Sequence, residues 1–210
     1  MFGLPDVLWP DWSLRDDAAL RREMKAAMAD TGVRIGLAEG FRASAQEDPR
    51  ACAGDLDRMA ELGAVRVNAI CMEDDMAMAR DKLGVIAEMS AARGMDFTIE
   101  FFPSDGINCL ERVLDVVGHI GHLPGGRRAR VLFDTMHFFR TGGTMEQFKA
   151  LDPDLIGYCQ LADSVLAPPH DNYFMDAMFA REVPGTAQLP LSLFVHALPE
   201  HVTVSVEVPR

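Results

Sequence analysis

Residues 76–102 read MAMARDKLGVIAEMSAARGMDFTIEFF, and the fold is decided by how this stretch changes character midway. From Met76 to about Arg93 good helix formers predominate, Gly94 supplies a stop, and Asp96–Phe102 is a β-branched and aromatic run closed by Pro103. The same unit recurs on both sides. Upstream, a helix from about Pro49 to Leu62 carries Leu56, Met59 and Ala60 on one face, ends at Gly63 and feeds Val65–Ile70. Before it, Ser13 is placed to cap a helix running to about Asp30, with Leu20, Met24, Ala27 and Met28 as its stripe; Gly32 closes it ahead of a strand at Val33–Leu37. Downstream, Ile107 to Ile120 repeats Ile107, Leu110, Leu114 and Val117 in helical register, and a Gly/Pro/Arg turn leads into Arg130–Asp134. A short helix near Met145–Leu151, a strand at Ile156–Leu161, a long loop, a helix at Leu189–Leu198 and a strand at Val202–Val208 complete the pattern.

Strands separated by helices of this length cannot be joined as hairpins, so they pair in parallel through right-handed crossovers. The fold class is α/β. No GxGxxG or GxxxxGK[ST] follows any strand, which argues against a doubly wound nucleotide-binding sheet and for a TIM-type (β/α)8 barrel. A complete barrel typically takes about 250 residues. Here 210 residues supply the strands above plus a possible stub at Asp6–Trp9, so the expectation is one domain, 1–210, lacking one or two N-terminal βα units and the last helix. An open parallel edge invites association, and a homo-oligomer in which a second copy supplies the missing wall is a possible outcome.

With 49% hydrophobic and 25% charged residues the chain has an ordinary globular balance. No apolar run approaches the roughly 18 residues of a membrane span, and MFGLPDVLWPDW lacks a basic leader, so the expected location is cytoplasmic with no membrane partner. A formal charge of −12, from 32 acidic and 20 basic residues, opposes nucleic acid. Cys52, Cys71, Cys109 and Cys159 are widely spaced, without CxxC, and are expected as reduced thiols.

Polar residues recur at strand ends, where a parallel barrel gathers its active site. Glu100 closes DFTIE; a capping or surface glutamate is the plainer alternative. Asp134 ends VLFD with His137 three residues on, a spacing that lets both face one cavity, the carboxylate suiting a hard cation and the imidazole a ligand or donor role. Gln160 and Asp163 follow in CQLAD, where Asp163 either orients a neighbour or caps the next loop. Glu207 lies in VTVSVEVP, whose alternation sets Val202, Val204 and Val206 against Thr203, Ser205 and Glu207. A carboxylate inside a β-branched strand is costly unless paired or metal-bound. His119, His122, His170, His196 and His201 have no comparable context.

TIEFFP, VLFDTMHFFRTGG, IGYCQLAD, REVPG and VTVSVEVP together resemble the xylose isomerase-like TIM barrels of the sugar phosphate isomerase/epimerase type, from about Ser13 to Pro209. That resemblance implies one divalent metal held by Glu100, Asp134, Gln160 and Glu207, with Glu100 and Glu207 also exchanging a substrate proton. It further implies that His137, Arg140 and Arg181 bind substrate, and Asn68 and Glu39 on earlier strands are assigned with them. Gln160 stands where the sugar epimerases have histidine, whereas some dehydratases of the superfamily carry glutamine; its oxygen favours manganese or magnesium over zinc. Ala187 departs from the usual PGxG. The implied partner is a small sugar, sugar phosphate or related polyhydroxy carbonyl compound, and the implied activity isomerisation or epimerisation. A dehydratase of the 3-dehydroshikimate or inosose type is the alternative, and a non-catalytic binding subunit the second. An endonuclease IV-like reading fails on the acidic charge and on the absence of any histidine before His119.

Overall fold

A computed structural model describes residues 13–104 and 106–209. Aspartates open its early helices. Asp17 accepts from the amides of Ala19 and Leu20 to start α1 (Ala18–Thr31), and Asp75 does the same for Ala77 and Met78 at the start of α3 (Met76–Ala92). Ser13 is therefore not the cap; its hydroxyl accepts from the amide of Arg15 in the turn before the helix. Gly32 takes φ +73°, a left-handed conformation that glycine adopts without Cβ strain, and so releases the chain from α1. None of α1 is fully buried, and the stripe it was expected to sink into the core is only partly covered.

Between the helices run β1 (Ala38–Ala43), β2 (Arg66–Cys71), β3 (Asp96–Glu100), the two-residue β4 (His122–Leu123), β5 (Arg127–Asp134), β6 (Ile156–Leu161) and β7 (Thr203–Val206). The order is β1-β2-β3-β5-β6-β7, each neighbouring pair parallel, with β4 antiparallel to β5. The remaining helices are α2 (Ala53–Glu61), α4 (Leu110–Ile120), α5 (Thr135–Arg140), α6 (Met145–Lys149), α7 (Tyr173–Phe179) and α8 (Leu191–Ala197). This is the parallel α/β architecture of a partial TIM-type barrel. The curl of the sheet is measured by side chains: Glu39 on β1 meets Gln160 on β6, although three strands lie between them in the sheet. Neither β1 nor β7 has a further strand beside it among the described residues. No helix among the described residues is long and apolar enough to cross a membrane. The stub expected at Asp6–Trp9 lies outside the described residues.

Three expectations need correction. The first strand is not Val33–Leu37: Val33 is 62% exposed, and ladder pairing begins only at Ala38 opposite Val67. The run AEGFRA hides its strand character because Glu39 and Arg42 interrupt it, while Ala38, Phe41 and Ala43 go into the core. The fourth helix starts at Leu110 rather than Ile107, and two short helices, α5 and α7, lie where no helix was expected. In β7 the two faces separate as a metal ligand at Glu207 requires. Val204 and Val206 are 43% and 66% exposed, so the valine face is outward and the Ser205/Glu207 side turns in.

Leu56, Leu83, Ile86, Val113 and Val117 from the helices pack with Val67, Phe97, Ile99, Val131 and Phe133 from the strands in one buried core. Beside it, Phe133, Phe138, Phe148 and Phe194 form an aromatic cluster with ring centroids 4.2–6.3 Å apart. This cluster clamps α5 against the end of β5, which fixes where Asp134 and His137 can point. Inside the sheet's curl space is short. A Cβ on Gly157 would stand 2.7 Å from both Arg130 Cβ and Thr98 Cγ2, so β6 can approach its neighbours there only as glycine.

Candidate metal centre

Parallel pairing gathers the strand-end residues at one end of the sheet. Asp134 pairs with Gln160, Gln160 with Ser205, and Glu100 closes β3 beside Leu132 of β5. Registered partners share a face, so Asp134 and Gln160 both enter the hollow of the sheet. Asp134 is also the N-cap of α5: its Oδ1 accepts from the amide of His137 at 3.0 Å, which rotates the imidazole over the same hollow. His137 Nδ1 lies 3.8 Å from Asp134 Oδ1, and Nε2 lies 3.6 Å from Glu100 Oε1. Potential ligand atoms of Glu100, Asp134 and His137 all fall within 4.8 Å of one another.

Neighbours hold these groups in place. Asn68 Nδ2 donates to Glu100 Oε2 at 2.8 Å, and the Thr98 hydroxyl donates to Asn68 Oδ1 at 3.2 Å. Arg181 makes a buried ion pair with Asp134 Oδ2, approaches Glu207 Oε2 at 3.7 Å and donates Nε to the Ala177 carbonyl at 2.7 Å. Tyr173 Oη sits 2.7 Å from His137 Nδ1, and the Phe102 ring stands edge-on to both. Gln160 Nε2 donates to Glu39 Oε1 at 2.8 Å; its Oε1 is buried with no partner.

Charge in this hollow is unbalanced. Burial, followed by the charges of Glu207, Asp134 and Glu39, pushes Glu100 well above the usual carboxylate range. Burial and Asp134 raise Glu207 to about 8, with Arg181 opposing them. Burial also raises Glu39. Asp134 alone is held low, because His137, Arg181 and their hydrogen bonds outweigh its burial. Burial, then the cations of Arg181 and Arg140, bring His137 down to about 4 against the pull of Asp134, leaving a neutral imidazole at neutral pH. Burial keeps Tyr173 a phenol. Four carboxyl groups thus surround one guanidinium, and an added cation is the species that would let all of them ionise together. The donor set fits a hard divalent ion: carboxylate oxygens, one imidazole, and a buried amide oxygen that no protein donor satisfies.

A pH dependence follows for the metal-free protein. Glu207 keeps its proton up to about 8 when folded but loses it near 4.5 when unfolded, so its contribution falls as pH rises through that window. His137 works oppositely: the unfolded imidazole binds a proton below 6.5 and the folded one only below about 4, so acid destabilises. Thermal melts of metal-free protein should therefore lose stability on both sides, with the decline above pH 6.5 due to the carboxylates. The Glu207 side chain is 35% exposed, which limits its share relative to Glu100.

The other residues singled out from sequence are placed as follows. Arg181 is in the hollow, against Asp134. Arg140 is turned aside: its guanidinium pairs with buried Asp176 at 2.7 Å and donates to the Val165 carbonyl at 2.9 Å, while its Nη2 is buried without a partner. His170 closes over the same Asp176 at 2.5 Å. Asp163 is a loop organiser, accepting from the amides of Ser164, Gly185, Ala187 and Leu189 at 2.9–3.0 Å, so Ala187 in place of the usual glycine is still tied down. Asn68 reaches Glu100, and Glu39 reaches Gln160, both as protein-to-protein contacts. Tyr173 and Thr135 had no signal of their own. Thr135 links α5 to β6 by donating to the Ala162 carbonyl at 2.7 Å and accepting from the Ala162 amide at 2.9 Å.

Comparison with solved structures places this geometry among barrels. A xylose isomerase-like TIM barrel/4-hydroxyphenylpyruvate dioxygenase fusion protein superposes over 98% of this chain with TM-score 0.77 and 21% identity, although the chain spans only 33% of that protein. The IolI protein, solved with a binding zinc atom, matches over 99% of this chain and 76% of its own with TM-score 0.76 and 19% identity. An L-ribulose 3-epimerase matches over 93% and 68%, with TM-score 0.70 and 16% identity. At these identities the likeness is one of fold. No protein of curated function matches in sequence. A family model described as the xylose isomerase-like TIM barrel matches residues 3–210, and the chain belongs to that family.

Proposed function

We propose that the chain is a divalent-metal-dependent isomerase or epimerase acting on a small sugar, sugar phosphate or related polyhydroxy carbonyl compound. One observation carries this reading: ligand atoms of the Glu100 and Asp134 carboxylates and the buried His137 imidazole lie within 4.8 Å of one another at strand ends, and Gln160, registered opposite Asp134, carries an orphaned amide oxygen. Glu100, Asp134, Gln160 and Glu207 are proposed to hold the metal, with His137 near enough to be a further ligand or a donor to substrate oxygen. When bound, the cation supplies Lewis-acid polarisation of a carbonyl and its adjacent hydroxyl.

Residues of the chain do the rest. Glu207 is proposed to take the proton α to the carbonyl and Glu100 to return one. Return to the neighbouring carbon isomerises, and return to the opposite face of the same carbon epimerises. His137 can donate from Nε2 when Tyr173 donates to Nδ1, placing one N–H toward the carbonyl oxygen. Phe102 and Tyr173 wall the site against water. Arg181 is proposed to leave Asp134 for a substrate oxygen once a cation neutralises that carboxylate. Arg140, bound to Asp176, is proposed to brace the α7 loop instead of touching substrate.

Gln160 favours a second reading, a dehydratase, because the family resemblance associates an amide there with dehydration: the same α-proton leaves, and a β-hydroxyl departs in place of proton return. An all-oxygen strand-end set leans toward manganese or magnesium, while IolI holds zinc. Both readings share one testable event. In D2O with Mn2+, NMR of ketoses, hydroxypyruvate, inosose and 3-dehydroshikimate should show an α-proton exchanged for deuterium in at least one compound, and chelation should stop it. Absence of metal-dependent exchange across the panel would favour a non-catalytic binding role.

A further inference from the structure

Gln160 is 3% exposed, and its amide is asymmetric in use: Nε2 donates to Glu39 Oε1 at 2.8 Å, while Oε1 has no partner. We infer that Glu39 is a positioning residue that fixes which atom of Gln160 faces the metal centre and thereby which cations the centre takes, an inference that rests on the metal site proposed above.

A carboxylate only accepts, so beside Glu39 the amide must present its NH2 group; the flipped amide would set two acceptors against each other out of water. With Nε2 committed to Glu39, the carbonyl oxygen is the atom left for the other side. Asp134, the residue registered opposite Gln160, shares its face of the sheet. A buried acceptor without a donor is rare in folded proteins and signals a missing ligand. An oxygen ligates a hard cation, whereas an inward NH2 ligates nothing. The contact joins residues 121 positions apart, and it exists only because the sheet curls until β1 faces β6. Glu39 also explains what a histidine would do at this position. Its carboxylate would accept one ring N–H and turn the other nitrogen inward, the arrangement that orients histidine ligands on zinc.

The test is equilibrium titration with Mn2+ and with Zn2+ of metal-free wild type, Glu39→Gln and Gln160→His, with circular dichroism and thermal melts of each metal-free protein. Wild type should bind Mn2+. Glu39→Gln can pair with Gln160 in either amide sense, so Mn2+ affinity should fall 10–100-fold, the usual cost of losing an orienting partner, with secondary structure unchanged. Gln160→His should shift the Zn2+:Mn2+ affinity ratio toward zinc by 10-fold or more, a readout independent of whether Glu39→Gln folds. Wild-type Mn2+ affinity in Glu39→Gln, or an unchanged metal ratio in Gln160→His, overturns the role given to Glu39 while leaving the metal centre standing. Failure of wild type to bind either ion overturns the centre itself and this inference with it.

Discussion

Replacing Glu100 with glutamine should make the metal-free protein more stable and abolish the proposed activity. Glu100 is 9% exposed and surrounded by the charges of Glu207, Asp134 and Glu39, so ionising it in the folded state is opposed by burial and by repulsion. Glutamine keeps the acceptor that Asn68 Nδ2 uses and removes the charge. The gain expected is about 1–3 kcal/mol, or several degrees in Tm for a chain of this size. It should be present at pH 8 and vanish near pH 4, where wild-type Glu100 is protonated in both states. Adding Mn2+ should invert the order, because wild type is stabilised by binding and the variant is not. Loss of turnover should reach about 10²–10⁴-fold if Glu100 moves a proton. Melts with and without Mn2+ at the two pH values check all of this. A variant less stable than wild type at pH 8 without metal would contradict the charge-repulsion account.

Asp134→Ala should have the opposite effect on the fold. Asp134 is fully buried, pairs with Arg181, itself 7% exposed, and caps α5. Its removal leaves a guanidinium in the interior with only Glu207 at 3.7 Å and backbone carbonyls for company. Breaking a buried pair in this way costs about 3–5 kcal/mol, and a lost cap about 1 kcal/mol. Against a typical total of about 5–15 kcal/mol this is a large fraction. Asp134→Asn retains the cap and should lose less stability, yet it should lose metal equally. Adding Arg181→Met to Asp134→Ala should recover part of the loss, since the unpaired charge goes too. Urea denaturation of the four proteins checks the set; a penalty under about 1 kcal/mol for Asp134→Ala would mean that Arg181 does not depend on its partner.

Much of this was legible in the chain because local rules and the barrel agree. Gly63 and Gly94 mark helix ends, and the runs after them are strands because β-branched and aromatic residues crowd there. Glu100, Asp134, Gln160 and Glu207 stood out because each follows such a run. The misreadings share a cause. β1 carries Glu39 and Arg42 among small residues, so an apolar run just before it was the stronger local signal. α5 begins at Thr135, directly after the Asp134 that ends β5 and caps the helix, leaving no gap for a separate start signal. Tyr173 lies 36 residues from the His137 it touches, and only the path of the 162–190 loop brings it there. Arg140, which the family resemblance assigns to substrate, pairs with buried Asp176 in this structure.

Mn2+ stoichiometry tests whether these strand ends form a single oxygen-rich divalent site. Metal-free protein at pH 8, titrated with Mn2+ and followed by the electron paramagnetic resonance signal of the free ion, should take up about one ion per chain, and Glu207→Gln should take up none. Full uptake by Glu207→Gln, or no uptake by wild type, would contradict the site as drawn.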